Sequence, residues 1–260
     1  MQTRGYWKYN NMTFRDEDFG PSEGGSIWQY CPIVAQIDPS VAHVFYDDFY
    51  ILGTTDGPWG VTEDAGAGGT DSVGDGVGGI YTHYADGDNN DEAYLISSHE
   101  TWKFAAGKSL WFEAKVGITE ADTNQANLIV GLMDAAGADA LQDGNAGPAA
   151  SYDGAVFFKV GGALSYYFES SNAATQSTSS ALGTHTTGTA IKYGFWCKTE
   201  SNSDTTATVY PFINGAIGTG QTLTLAGLEE MHAVVGIKKG GVGGNEESFF
   251  IDYMKIIQIR

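Results

Sequence analysis

Residues 109–134 read SLWFEAKVGITEADTNQANLIVGLMD, and their pattern decides the fold class. Leu110, Phe112, Ala114, Val116 and Ile118 fall on one side of an extended chain. Trp111, Glu113, Lys115 and Gly117 fall on the other. That period of two marks a strand with one buried and one wetter face. A polar turn follows at residues 120–125. Residues 128–133 are then almost wholly apolar, as a strand covered on both faces requires. Two long strands joined by a polar loop predict a hairpin at the centre of a large antiparallel sheet.

Outward from this stretch the β pattern continues. Strands are expected at 44–52, 79–84, 93–97, 191–198, 205–213, 221–225, 233–239 and 248–260. Residues 155–170 predict a hairpin turning at Gly161-Gly162, and Asn214-Gly215 marks a second tight turn, because both pairs tolerate the positive φ such turns need. Helical periodicity is nearly absent, with one turn expected at 228–231. Residues 63–79 form a Gly/Asp loop long enough to be functional or disordered. The Ser/Thr/Ala-rich residues 172–189 predict a mobile surface loop. Residues 1–44 mix Tyr6, Trp7, Tyr9, Phe14, Trp28 and Tyr30 with turn formers and show no sustained period. They are expected to be an arm that packs on the sandwich or on a neighbouring subunit, or an ordered strand pair of the same domain. Residues 45–260 then form one all-β, two-sheet antiparallel sandwich.

Composition narrows the partners. With 32 acidic against 13 basic residues the net charge is −19, so nucleic acid is not an expected partner. No apolar run approaches the length a membrane helix needs, and MQTRGYWKYN lacks the apolar core of a signal peptide. Without a secretory route the sequon Asn11-Met12-Thr13 has no glycosylation machinery to meet. Two distant cysteines, Cys31 and Cys197, are expected to be free.

Three segments carry a resemblance: Tyr46-Asp47-Asp48-Phe49 opening the sandwich, Trp111-Phe112-Glu113-Ala114-Lys115 with Val130-Gly131-Leu132-Met133-Asp134, and the closing Phe250-Ile251-Asp252-Tyr253-Met254-Lys255-Ile256. Together they resemble the concanavalin A-like lectin/glucanase jelly roll, shared by legume lectins, laminin-G modules and many glycosidases. The layout also resembles that of tailed-phage structural proteins, including capsid decoration proteins with an irregular N-terminal arm.

Several motifs in the sequence approach the spacing of known chemistry. Jelly-roll glucanases place Glu-x-Asp-x-x-Glu on a strand so that alternation aims the carboxylates into a groove. Glu120-Ala121-Asp122-Thr123-Asn124-Gln125 comes nearest, but its third acid is Gln and it falls in a turn, which reads as solvated. Gly74, Gly76 and Gly79 match dinucleotide spacing without a helix to follow. Gly107-Lys108-Ser109 mimics a P-loop end, with Trp102 where the first Gly belongs. Asp86, Asp88, Asn90 and Glu92 alternate oxygen ligands as Ca²⁺ requires, but Asp91 and Ser97 stand where an EF-hand needs Gly and Glu, and an acidic turn is the expected role. His43, His83, His99, His185 and His232 are scattered and predict no Zn²⁺ site. Trp59, Trp102 and Trp196 could stack on sugars, although core packing is the expected role of each.

The sequence therefore predicts no catalytic, cofactor or metal residues and no enzyme. It predicts a virion structural protein: a phage head decoration protein at the capsid surface, made in host cytoplasm, with the major capsid protein and itself as a homotrimer for partners. The alternative is a carbohydrate- or receptor-binding module that recognises surface glycans.

Overall fold

A computed structural model of the chain describes residues 6–8, 11–13, 26–51, 57–63, 71–74, 78–122, 124–241 and 245–260. Most of the expected arm before residue 26, and most of the expected Gly/Asp loop at 63–79, lie outside these residues. In chain order the strands are β1 (Tyr6–Lys8), β2 (Asn11–Thr13), β3 (Ala42–Asp47), β4 (Trp59–Glu63), β5 (Ser72–Gly74), β6 (Ile80–Ala85), β7 (Glu92–Ser97), β8 (Leu110–Thr119), β9 (Ala126–Met133), β10 (Gly154–Lys159), β11 (Ser165–Asn172), β12 (Thr175–Thr178), β13 (Gly183–Thr184), β14 (Ile191–Lys198), β15 (Thr206–Ile213), β16 (Ala216–Ile217), β17 (Gln221–Thr224), β18 (His232–Lys239) and β19 (Glu247–Ile259). Among the described residues the one α-helix, α1 (Ile33–Ile37), follows a 3₁₀ turn at Ile27–Tyr30, and a second 3₁₀ turn lies at Asp143–Asn145.

β1 and β2 pair only with each other; the remaining strands form two antiparallel sheets, the expected two-sheet sandwich. One sheet has eight strands in the order β12-β11-β10-β9-β18-β7-β4, with β13 beside β11. The other has nine, β16-β15-β14-β8-β19-β6-β5, with β17 beside β15 and β3 beside β19. Between them lies the main core. It takes the inward residues of β8 (Leu110, Phe112, Ala114, Val116, Ile118) against those of β9 (Leu128, Val130, Leu132), with Phe157, Phe168, Phe195 and Phe249 around them. Parallel ring stacking of Phe112 on Phe195, centroids 5.0 Å apart, ties neighbouring strands of one sheet.

The central stretch is not a hairpin. β8 pairs with β14 and β19, whereas β9 pairs with β10 and β18 in the opposite sheet. Residues 120–122 and 124–125 lie where the chain crosses from one sheet to the other at the end of the sandwich. Each strand offers an apolar face, and facing each other across the core buries both at once. The turn is not solvated either. Glu120 keeps 4% of its side-chain surface and lies 2.8 Å from Lys159 Nζ and 3.1 Å from His185 Nε2. Its carboxylate also accepts the Ala126 N–H. Nearby, Glu247 accepts the N–H groups of Ala121 and Asp122 and faces Lys239, whose Nζ donates to Asp122. A buried ionic cluster thus holds this end closed.

Other expectations also change. The first strand of the sandwich starts at Ala42 and stops at Asp47, because Asp47 accepts from Phe49 N–H and Trp59 Nε1 and Phe49 takes φ 49°. Residues 172–189 are not a free loop: they hold β12 and β13, and His185 is buried at 3%. Residues 228–231 form no helix; Met231 instead bridges to Trp102. The Asn214-Gly215 turn is as expected, joining β15 to β16 with φ 50° and 84°. Both cysteines are free and buried.

Each sheet also buries part of its outer face. On the eight-stranded sheet, Tyr94, Ile96, Ile129, Met133, Val156 and Val234 lie under the 134–152 loop, which contributes Ala140, Leu141 and Tyr152. On the nine-stranded sheet, Trp111, Phe212 and Ile257 lie under the segment 26–41, which contributes Ile27, Cys31 and Ala35. This covered β9 is the doubly buried strand its apolar run predicts.

Candidate functional site

Beyond the segment 26–41, no described residue covers Tyr46 on the outer face of the nine-stranded sheet, where it is 57% exposed, and a chemically varied group surrounds it. The site begins with an irregularity. β19 and β8 shift register between Ile251 and Tyr253, so Asp252 is an extra residue. A β-bulge of this kind re-aims side chains and breaks alternation locally. Here it leaves Asp252 and Tyr253 both half-buried on the outer side, between the buried Ile251 and Met254.

Across the ladder stand the β8 partners. Lys115 Nζ lies 2.5 Å from Asp252 Oδ2. Tyr253 Oη donates to Glu113 Oε1 at 2.9 Å, and Trp28 Nε1 donates to the same oxygen at 3.0 Å. Glu113 is 5% exposed, so its carboxylate is held by hydrogen bonds rather than water. Lys255, directly opposite Glu113, sits 4.2 Å above the Trp28 ring and donates to Gln36 Oε1. Tyr46, opposite Lys255 on β3, is 57% exposed and donates to Asp48 Oδ1 at 2.8 Å.

Electrostatics follow from this packing. Burial pushes the Tyr253 phenol well up, and the adjacent Glu113 carboxylate pushes the same way, so the hydroxyl stays a donor. Burial raises Tyr46 to about 12, reinforced by its bond to Asp48. Burial lowers Lys255, against the opposing pull of Cys31 and Glu113. The assembled face carries three aromatic side chains (Trp28, Tyr46, Tyr253), three carboxylates (Asp48, Glu113, Asp252) and two ammonium groups (Lys115, Lys255).

The residues singled out in the sequence lie elsewhere. Trp59 and Trp102 are 1% and 2% exposed and belong to the main core, as expected. Trp196 lies in the layer under residues 26–41, stacked on Tyr30. Glu92 of the alternating oxygen set is turned to Lys238, 3.1 Å away, and Tyr94 Oη donates to it. It therefore does not join Asp86, Asp88 and Asn90, and among the described residues no group of three or more His, Cys, Asp or Glu could hold a metal ion. Two small cavities open at the lateral edges. One, about 190 Å³, is largely apolar around His43, Phe45, Pro58 and Trp102; the other, about 210 Å³, is lined by Ser170, Asn172, Gln176 and Thr224. Glu113, Tyr46, Tyr253 and Asp252 appear in the sequence only as parts of the framing strands.

No protein-family profile and no curated protein sequence matches this chain. Solved structures do share its fold. The endo-1,3-beta-glucanase of Streptomyces sioyaensis superposes with a TM-score of 0.55 at 12% identity, covering 85% of this chain and 97% of the other. The endo-beta-1,4-glucuronan lyase of the fungus Trichoderma reesei gives 0.53 at 11%, over 82% and 94%. Peanut lectin gives 0.53 at 12%, over 84% and 97%. These likenesses establish the concanavalin A-like lectin/glucanase sandwich and nothing finer. They lend no support to the virion setting, capsid partner or homotrimer expected from the sequence. They also correct the expectation that the chain is no enzyme: a glucanase and a lyase share this architecture with a lectin, so the fold gives no ground for setting enzymatic activity aside.

Proposed function

We propose that this protein is a carbohydrate-binding domain that engages saccharide on the open outer face of its nine-stranded sheet. The observation that carries the reading is the bulged Asp252-Tyr253 step beside Glu113, Lys115 and the exposed ring of Tyr46. Sugars present apolar C–H faces and a rim of hydroxyls. Aromatic rings cover the former, and fixed carboxylates and ammonium groups bond the latter. A lectin, a glucanase and a glucuronan lyase with this fold take carbohydrate chemistry as their common theme, which supports the same ligand class here.

The test is a glycan array followed by titration calorimetry on the best-retained saccharide. Tyr46→Ala is expected to weaken binding about tenfold, because an exposed stacking ring is lost while the fold is untouched. Lys115→Met should also weaken binding by releasing Asp252. Retention of no glycan class, or unchanged affinity in both variants, refutes the assignment.

A further inference from the structure

Segment 26–41 covers the other half of the same sheet face, and what it covers is unusual. Beneath it Trp111, Trp196 and Tyr210 form a ladder of rings on three adjacent strands. Trp111 and Trp196 are nearly parallel at 11° with centroids 6.2 Å apart, and Tyr210 follows 5.6 Å from Trp196. Tyr30 from the segment completes the stack, 5.3 Å from Trp196 and inclined by 23°. The indole Nε1 groups of Trp111 and Trp196 are both buried and have no acceptor among the described residues. Trp111 is 2% exposed. Buried donors almost always find partners, and two orphans in one layer call for a cause.

The cover itself is lightly fastened. Its backbone hydrogen bonds are internal, such as Gln29 N–H to Ser26 O, Ala35 N–H to Pro32 O and Asp38 N–H to Val34 O, until Arg260 N–H reaches Val41 O. It forms no strand pairing with the sheet before Ala42. Its polar ties to the sheet are side-chain bonds: Trp28 to Glu113, Lys255 to Gln36 and Arg260 to Pro39 O. One of these caps the buried carboxylate of the proposed site.

We propose that residues 26–41 are a displaceable strap over a second saccharide subsite built from Trp111, Trp196 and Tyr210. Tyr30 occupies the place of a pyranose ring, and Trp28 occupies Glu113. This inference rests on the carbohydrate reading above. With the strap displaced, the indole N–H groups meet sugar hydroxyls and Glu113 is released to the ligand. Tyr46 and Trp196 lie on strands three spacings apart, about 14 Å, so the complete face suits an oligosaccharide rather than a single sugar. Because the strap competes with ligand, apparent affinity is reduced by the fraction of molecules in which it is closed.

Full-length wild type, Tyr30→Ser and Trp28→Phe are titrated with neutral glucose hexasaccharides and glucuronic acid hexasaccharides, read by calorimetry and tryptophan fluorescence. Tyr30→Ser is expected to bind at least tenfold more tightly than wild type. Adding Trp196→Ala should abolish that gain. Trp28→Phe, which keeps the packing and loses the bond to Glu113, should gain severalfold, so the test survives if Tyr30→Ser folds poorly. Saccharide should also speed hydrogen exchange across 26–41 in wild type. Wild-type binding with no gain in either strap variant, or a gain that persists without Trp196, overturns the strap alone. No binding by any variant overturns both the strap and the carbohydrate reading.

Discussion

The ionic cluster at the arched end of the sandwich makes a quantitative claim about residues 120–125. Lys159 is fully buried on the inner face of β10, and Glu120 supplies its only carboxylate within 4 Å among the described residues. Glu120→Leu leaves that ammonium with the Ala126 carbonyl, 2.7 Å away, and no carboxylate in contact among the described residues. Breaking a buried pair in this way costs about 3–5 kcal/mol, and Lys159→Met, which leaves the carboxylate its bonds from His185 and the Ala126 N–H but no ammonium, should cost a similar amount. The double variant Glu120→Leu/Lys159→Met removes both charges and should recover most of the loss. Urea unfolding followed by tryptophan fluorescence measures this. With a slope near 3 kcal/mol/M, each single variant should lower the midpoint by more than about 1 M at pH 7 with the slope unchanged. Acid adds an independent check. Burial alone would raise the Glu120 carboxyl, but bonds from His185 and Lys159 outweigh it and hold it below the ordinary Glu value. Its stabilising contribution is therefore present above about pH 4.3 and is lost as the pH falls through the folded value. The gap between wild type and Glu120→Leu should stay constant from pH 8 to 5 and close below that window. If Glu120→Leu costs under about 1 kcal/mol, or the double variant is as unstable as the singles, the turn is solvated and the argument fails.

On the opposite outer face, Lys238 is 2% exposed and reaches Glu92, Asp139 and Asp143, while Tyr94 Oη accepts the Leu141 N–H. Lys238→Met should loosen the 134–152 loop, seen as faster amide exchange at residues 139–143 with β18 still protected; unchanged exchange would show that apolar packing alone holds the loop. Burial opposes the Lys238 charge, but its three carboxylates hold the ammonium above the ordinary Lys value. Its contribution is full below about pH 10.4 and fades as pH rises through the folded value. Gly131→Ala should destabilise by about 1–3 kcal/mol, because a Cβ there falls well inside contact distance of the Ala155 carbonyl and the Val156 backbone. A thermal midpoint within a degree of wild type would contradict that close approach.

Much of this was legible because alternation reports faces. All five inward residues of β8 lie in the main core, and the apolar run of β9 is covered on both sides. Alternation does not report partners. A six-residue polar connection suits a hairpin and an arch between sheets equally, so the pairing of β8 and β9 could not be read. Burial of Glu120 was hidden for a related reason: its polar partners lie 39 and 65 positions away, in β10 and in the Ser/Thr-rich segment where His185 stands. The site did leave one trace. In β19, Ile251 and Met254 are three apart in a strand that otherwise alternates by two, which is the footprint of the bulge. Glu113 looked like a wet-face residue because nothing local announces that Trp28 will cover it from 85 positions away.

The two covered faces of the sandwich also differ in how they are closed. The cover of the eight-stranded sheet is pinned by charge: Lys238 reaches Asp139 and Asp143, Glu92 accepts the Asp139 N–H, and Asn145 bonds to Asn127 and Gly240. Freeing it would strand a buried ammonium, a cost that holds the loop shut. The cover of the nine-stranded sheet strands no buried ammonium when it lifts. The carboxylate it uncaps, Glu113, keeps its bond from Tyr253, and Lys255 keeps its place opposite. What the strap would give up is stacking of Tyr30 and burial of Ile27, Cys31 and Ala35; in the proposed exchange a saccharide takes over the stacking, and the lost apolar burial sets how rarely the strap opens. The bulge, the exposed Tyr46 and the two orphaned indole donors all lie on the strap's side.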